Sequence, residues 1–173
     1  MATSQVRWVG NVHGATVPWV VLAKFLSGTT QAIKKGEILE YTADTNAAFT
    51  PIDSDYNMAT SSDLAIANQD INAGDAAGYY EVILPREGDI FAYDLAAASG
   101  TAPGTALYFS SSEKLTVTAG TNIIAYTFDW RNFPKQGHAS LAEPDAGTSL
   151  KSATKYYVTF RKAVSFANRF LKA

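Results

Sequence analysis

The side chains most able to do chemistry are few and lie far apart. The chain has two histidines, His13 and His138, in the predicted loops NVHGAT and QGHASL. Neither has a second imidazole at metal-ligand spacing, and no G-x-S-x-G elbow supports a nucleophile triad. The absence of cysteine excludes disulfides, thiolate zinc sites and thiol nucleophiles. Both histidines are therefore interpreted as surface residues.

The segment DSDYN, residues 53–57, begins like a calcium-binding loop. Its acidic and amide side chains occupy the first, third and fifth positions of such a loop. Met58 stands at the sixth position, where glycine makes the sharp turn, and Leu64 stands at the twelfth, where glutamate binds bidentately. The pattern favours a polar turn over weak calcium binding in another geometry, and no metal or cofactor is expected.

Carboxylates are numerous, and some lie on neighbouring predicted strands. Glu81 with Asp89 or Asp94 across a possible hairpin is the type of acid pair that glycosidases use. Acidic residues spread along turns are usually solvated, and no phosphate-binding loop with its lysine is present. A hydrolase with a scattered carboxylate site is therefore ranked last, and the chain is expected not to be an enzyme.

The elements that position these residues have a β pattern. Turn signals such as Lys35-Gly36, Gly74-Asp75 and Glu87-Gly88 recur at the roughly 8–12-residue spacing of sandwiches and barrels. YYEVILP, residues 79–85, and TNIIAYTFDW, residues 121–130, are strand candidates rich in β-favouring residues. The predicted fold is mainly β, a small barrel or sandwich of short antiparallel strands.

Two segments of this β region resemble each other. GEILEYTADTNAAFTPI spans 36–52 and GTALYFSSSEKLTVTAG spans 104–120. Each has a glycine, an apolar-aromatic strand, a small polar turn and a second alternating strand. This pattern predicts one hairpin used twice in a small barrel, and chance similarity of short hairpins is the alternative.

Three parts are predicted along the chain. Residues 1–30 hold an extended N-terminal arm, 1–16, and a first strand within WVVLAKFL, 19–26. Residues 31–130 form the barrel-like domain. Residues 131–173 hold a surface connection, a strand and a basic amphipathic segment at helical spacing, expected to be a short helix. No signal peptide or membrane span is expected, because the most apolar run is far shorter than the ~20 residues that cross a bilayer.

Charge is segregated along the chain. Residues 1–36 and 151–173 carry four and six basic residues and no acidic one. All 16 acidic residues lie between Glu37 and Asp145. Basic ends are attracted to an acidic body, either that of the chain itself or that of a neighbour. The low overall pI, about 5.6, argues against nucleic-acid binding.

The stretch GTALYFSSSEKLTVTAGTNIIAYTFD resembles small tailed-phage capsid decoration (cement) proteins. These carry a Gly-x-x-Leu-Tyr strand, a polar turn, a Lys-Leu-Thr-Val-Thr strand and then a strand of the Ile-Ala-Tyr kind. The resemblance covers about residues 31–129, including KKGEILEYTAD and GDAAGYYEVIL. The matching residues are Gly104, Leu107, Tyr108, Lys114, Leu115, Val117, Ile124, Ala125 and Tyr126.

The resemblance implies a structural virion protein, made in the host cytoplasm, on the outer surface of an expanded icosahedral phage capsid. Its partners are then the major capsid protein and neighbouring copies of itself, with a trimer favoured. No catalysis, direct nucleic-acid contact or membrane contact is implied. Charged and apolar side chains of the terminal segments are the candidate interface residues: Arg7, Trp8, Val9, Arg161, Lys162, Phe166, Arg169 and Phe170.

A carbohydrate-binding or adhesive β-domain is the alternative function. Tyr79, Tyr80, Trp130 and Tyr156 could form a stacking platform for sugars. Strand alternation favours the other interpretation, in which most of these aromatic side chains fill the core.

Overall fold

The computed structural model describes residues 6–25, 32–42, 48–52, 64–75, 78–94, 104–109, 115–120, 123–128 and 155–160. Within these ranges the chain forms β-strands and no helix. The strands are β1 Arg7–Asn11, β2 Val20–Phe25, β3 Ile38–Thr42, β4 Ala48–Pro51, β5 Leu64–Ala67, β6 Gly78–Ile83, β7 Asp89–Asp94, β8 Ala106–Phe109, β9 Leu115–Thr116, β10 Ile123–Phe128 and β11 Lys155–Phe160.

These strands form two antiparallel sheets. One has five strands in the order β2-β6-β5-β3-β4, and the other has six in the order β1-β7-β11-β10-β8-β9. The sheets pack against each other and neither closes into a barrel, so the architecture is sandwich-like. The predicted mainly β class is confirmed. The predicted C-terminal helix lies outside the described residues.

The core between the two sheets, called here the intersheet core, takes alternate residues from each sheet. The five-stranded sheet contributes Ile38, Ile66 and Ile83, which are cross-strand neighbours on β3, β5 and β6. From the six-stranded sheet, the rings of Phe91 and Phe160 meet edge to face with their centroids 5.2 Å apart. The period-two alternation of strands places these side chains on one face.

The opposite face of the five-stranded sheet buries a second cluster, called here the inner core. Leu39, Phe49 and Val82 are among its members. The sheet coils so strongly that its two edge strands, β2 and β4, lie in contact. Ile33 and Ile71 exchange two backbone hydrogen bonds of 2.9 Å and bury their side chains in the same cluster. Because both faces are buried, every residue of β5 is buried.

The described part of the predicted N-terminal arm belongs to the six-stranded sheet. β1 pairs antiparallel with β7, with a bulge between Trp8 and Gly10. Val6 is buried, and its N–H donates to the Gly36 carbonyl over 2.7 Å. The extended segment therefore packs on its own chain, which is one of the two alternatives that the charge pattern left open. β11, from the predicted C-terminal part, lies between β7 and β10, so strands of all three predicted parts share the sheets.

Three tight turns share one pattern, in which the third residue is a glycine with positive φ and the fourth is acidic. The backbone N–H of the acidic residue donates to the carbonyl of the first residue. Its carboxylate accepts the N–H of that same first residue over 2.8 Å. Glycine is required because other residues pay a steric cost at positive φ. The turns are Lys34-Lys35-Gly36-Glu37, Asn72-Ala73-Gly74-Asp75 and Arg86-Glu87-Gly88-Asp89.

Leu107→Ala tests the intersheet core. Leu107 is fully buried, so truncation removes its transfer free energy and leaves a cavity, and we expect a loss of about 2–5 kcal/mol in unfolding free energy. Leu22→Ala is the matched control, because Leu22 is 62% exposed and should change stability by less than about 0.5 kcal/mol. Urea unfolding measures both. Equal midpoint shifts for the two variants would contradict the assigned burial.

Candidate interaction surface

The chemistry-bearing residues do not form a catalytic or metal site within the described ranges. No cluster of three or more metal-ligating side chains occurs among them. His13 is exposed. Glu81 is exposed on the five-stranded sheet, whereas Asp89 is buried at the start of a strand of the other sheet, so they form no acid pair. The DSDYN segment, His138 and the side chain of Asp94 lie outside the description.

Asp89 is instead a structural centre that holds β1. It is 1% exposed, and one of its oxygens accepts the indole N–H of Trp8 over 3.0 Å and the amide of Asn11 over 2.8 Å. The other accepts the backbone N–H of Arg86 over 2.8 Å, and the Arg86 guanidinium lies 3.3 Å away. A buried carboxylate persists only with such donors and a countercharge.

The N-terminal interface candidates divide between solvent and the fold. Arg7 is exposed. Trp8 is half-buried against the intersheet core, and Val9 is half-buried against Ile90 and Tyr157 on the other face of the six-stranded sheet. The two apolar candidates therefore pack within their own chain. Arg161, Lys162, Phe166, Arg169 and Phe170 lie outside the described residues.

The predicted stacking platform is not assembled by the two tyrosines that the structure describes. Tyr79 is 69% exposed on one face of β6. Tyr80, the next residue, points to the opposite face and packs against the inner core. Trp130 and the side chain of Tyr156 lie outside the description.

The large exposed apolar side chains of the described residues gather on β2, its leading segment and β6. We call this set the apolar patch: Val17, Trp19, Val20, Leu22 and Tyr79. Val20 lies opposite Ile83 and Leu22 lies opposite Glu81. Cross-strand partners share a face, so Val20, Leu22 and Tyr79 lie on the face through which Ile83 packs into the intersheet core. No described residue covers these three side chains fully, and Leu22 and Tyr79 are 62% and 69% exposed.

The apolar patch sits on a fixed backbone. The Arg86 guanidinium donates to the Val17 carbonyl over 2.6 Å, and the Leu84 N–H donates to the Trp19 carbonyl over 2.9 Å. β2 then pairs with β6 along its whole length. A rigid apolar surface loses little conformational entropy when a partner covers it, and contiguous exposed apolar surface marks interaction sites.

Sequence reasoning missed this patch although its signal was present. VPWVVLA, residues 17–23, is the most apolar run of the chain and predicts a buried strand or a short helix. Apolar residues on both faces are typical of a strand covered on both sides. Among the described side chains of β2, Val21 and Ala23 face the inner core, whereas Val20 and Leu22 are exposed.

The fold and the apolar patch define a two-sheet antiparallel β-protein with an exposed apolar surface. No helix among the described residues is long and apolar enough to cross a membrane. Comparisons with protein-family models, with curated proteins and with solved structures find no match to this chain.

Asp89→Asn should destabilise the fold by about 3 kcal/mol, because an amide cannot accept from all the donors that surround this carboxylate. Asp75→Asn is the matched control. Asp75 ends the same type of turn but accepts the Asn72 N–H in a solvent-exposed setting, so we expect about 1 kcal/mol or less. Thermal and urea unfolding measure the difference, and similar losses in both variants would rule out the proposed centre.

The ion pair between Lys34 and Asp70 should make a pH-dependent contribution to the stability of the fold. The Lys35 backbone N–H and then the Lys34 ammonium hold the pKa of Asp70 below its ordinary value. Because the pKa is lower in the folded state, the ionised carboxylate stabilises the fold at pH values above its unfolded-state pKa of about 3.9. This stabilisation is lost as the pH falls through the folded-state pKa. Asp70→Asn should therefore lower stability slightly at pH 7 and by less near pH 2. A constant difference across that range would disprove the linkage.

Proposed function

We propose that this chain is a structural virion protein that binds the outer surface of an icosahedral phage capsid and stabilises the expanded shell, without catalysis. The apolar patch is the observation that carries the proposal, because it gives a rigid β scaffold a surface that needs a partner. The resemblance of residues 104–126 to capsid decoration proteins supplies the kind of partner.

The apolar patch is suited to bind by hydrophobic burial. Covering one large apolar side chain contributes roughly 1.5–3 kcal/mol. Leu22 and Tyr79 are 62% and 69% exposed, so they have the most apolar surface left to bury. A few such anchors dominate affinity at protein interfaces. Many copies on one shell add avidity when each copy also contacts its neighbour.

The basic ends supply an electrostatic contribution in this proposal. Residues 1–36 and 151–173 contain no acidic residue, whereas the middle of the chain is strongly acidic. Exposed basic side chains are attracted to acidic surfaces of the shell or of neighbouring copies, and salt screens that attraction. Binding through the apolar patch is expected to persist at high salt, so salt separates the two contributions.

A carbohydrate-binding or adhesive domain is the second candidate, favoured by the exposed aromatic side chains Trp19 and Tyr79. The Trp19 carbonyl bonds to Leu84, five residues from Tyr79 along the β6 segment. At about 3.3 Å per residue, the two positions are ~17 Å apart. They cannot stack on one sugar ring, so this candidate requires an extended glycan of several residues.

Co-sedimentation with unexpanded and expanded shells of the source phage tests the proposal, at low and high salt. Leu22→Asp should weaken binding to expanded shells at least tenfold, because a charge replaces an apolar anchor. Thr118→Asp is the control, because it introduces the same residue at an exposed position just after β9 of the other sheet, and it should bind like the unaltered chain.

Two results would count against this function. Absence of saturable binding to either shell form would remove the capsid as partner. Equal binding by Leu22→Asp and the unaltered chain would show that the apolar patch is not the binding surface. Binding to an extended glycan with quenched tryptophan fluorescence would move the second candidate to first place.

A further inference from the structure

The two sheets repeat one topology. The five-stranded sheet is built from β2 to β6 in the order β2-β6-β5-β3-β4. Without β1, the six-stranded sheet is built from β7 to β11 in the order β7-β11-β10-β8-β9. Raising each strand number of the first order by five gives the second. The chain therefore contains two consecutive five-stranded units with the same connections.

The same backbone hydrogen bonds recur in the two units. In the first, the Gly36 N–H donates to the Ala67 carbonyl over 2.7 Å, and the Ala67 N–H donates to the Glu37 carbonyl over 2.9 Å. In the second, the Gly104 N–H donates to the Thr127 carbonyl over 2.8 Å, and the Thr127 N–H donates to the carbonyl of the residue after Gly104 over 3.0 Å. Gly36 and Gly104 both have positive φ. This match fixes the register of the repeat.

The packing follows that register. Leu39 lies opposite Ala65 in the first unit, and Leu107 lies opposite Ala125 in the second. All four side chains are fully buried. A large residue facing a small one across a strand pair is thus used at the same place in both units.

β1 is the element that the repeat does not include. It occupies the free edge of β7, the first strand of the second unit. The equivalent strand of the first unit, β2, has no such partner among the described residues and lies in contact with β4 instead. A five-stranded unit of this type therefore forms without an added strand, and β1 is an addition to a unit that is already complete.

The edge of β7 that pairs with β1, together with the turn Arg86–Asp89 before it, is called here the β1 seat. Its polar centre is Asp89, which accepts from Trp8 and Asn11. Beyond the strand, the Val12 N–H donates to the Gly88 carbonyl over 2.9 Å. Gly88 is packed so closely that a Cβ there would lie 2.5 Å from Val12 Cγ2. The seat therefore selects a strand by its side chains as well as by its backbone.

The chain joins β1 to β2 through a short exposed hinge, residues 13–16. On one side Val12 is bonded to Gly88, and on the other the Val17 carbonyl is bonded to Arg86. The chain reverses direction in a turn in which the Gly14 N–H donates to the Asn11 carbonyl over 3.1 Å. Opening that turn lets β1 leave its seat while β2 stays in its sheet.

We propose that the β1 seat accepts the N-terminal strand of a second copy, so that two copies are linked by exchange of β1. Every contact of β1 with the seat is remade in the exchanged form, and only the hinge differs between the two forms. The proposal requires no capsid, so it stands or falls separately from the proposed function.

Hinge variants of the full chain test this exchange. Deleting Ala15 and Thr16 removes half of the hinge, so the return of β1 to its own seat is strained and the exchanged form is favoured. We expect a particle with twice the 18.6 kDa chain mass by light scattering, with unchanged β-sheet circular dichroism. Inserting Gly-Ser-Gly-Ser at the same place is the matched control and should give a monomer. A folded monomer from the shortened hinge would overturn the proposal.

If the shortened chain does not fold, replacement of the resident β1 by a peptide tests the exchange instead. A protease site is placed between Ala15 and Thr16, and the folded full-length protein is cut there. A fluorescent peptide of residues 5–14 should replace the resident strand, and fluorescence polarisation follows its binding. The same peptide with Trp8→Ala and Asn11→Ala should bind at least tenfold more weakly, because it lacks both donors to Asp89. No exchange, or equal binding of the two peptides, would overturn the proposal.

Discussion

The rest of the structure depends on the burial of both faces of the five-stranded sheet. Its strands carry apolar side chains on successive positions, as in β5, where all four residues are buried. Both faces of such a sheet must therefore be buried against other parts of the chain. The six-stranded sheet covers one face, and coiling of the sheet with the Ile33–Ile71 bridge closes the other. The apolar patch is the exception among the described residues, because Val20 and Leu22 of β2 stay exposed on the face through which Ile83 is buried.

The strand connections are fixed by polar groups as much as by the cores. Acidic residues close three tight turns through their own carboxylates, so much of the acidic charge near the sheets has a local structural role. Asp89 adds a long-range role, because it joins a turn to β1 across 78 residues of sequence from Asn11. An apolar core tolerates small shifts of a strand, whereas a buried carboxylate with directional donors specifies one register.

Local patterns predicted the mainly β fold and the repeated hairpin, because alternation and glycine turns act over a few residues. GEILEYT and GTALYFS both form a strand followed by a pairing strand, as expected from their likeness. Residues 1–16 show no clear period and were interpreted as an extended arm, and the bulge between Trp8 and Gly10 explains why the alternation of β1 is broken. Its partner strand is also far away in sequence, and no local rule identifies a partner for Trp8. The apolar patch was missed because burial depends on how far the opposing sheet extends.

The two repeated units differ in what lies against their edge strands. An edge strand offers unpaired backbone groups and must be covered or brought against another edge. In the first unit the edge strands β2 and β4 lie in contact. In the second unit a side chain joins the edge strands β7 and β9, because the Tyr93 hydroxyl accepts the Leu115 N–H over 3.0 Å. The backbone edge of β7 pairs with β1. The first unit thus carries the apolar patch, and the second carries the edge that β1 occupies. Under the proposed function and the proposed strand exchange, the patch would cover a neighbouring protein and the edge would link two copies, so the two surfaces would have separate tasks.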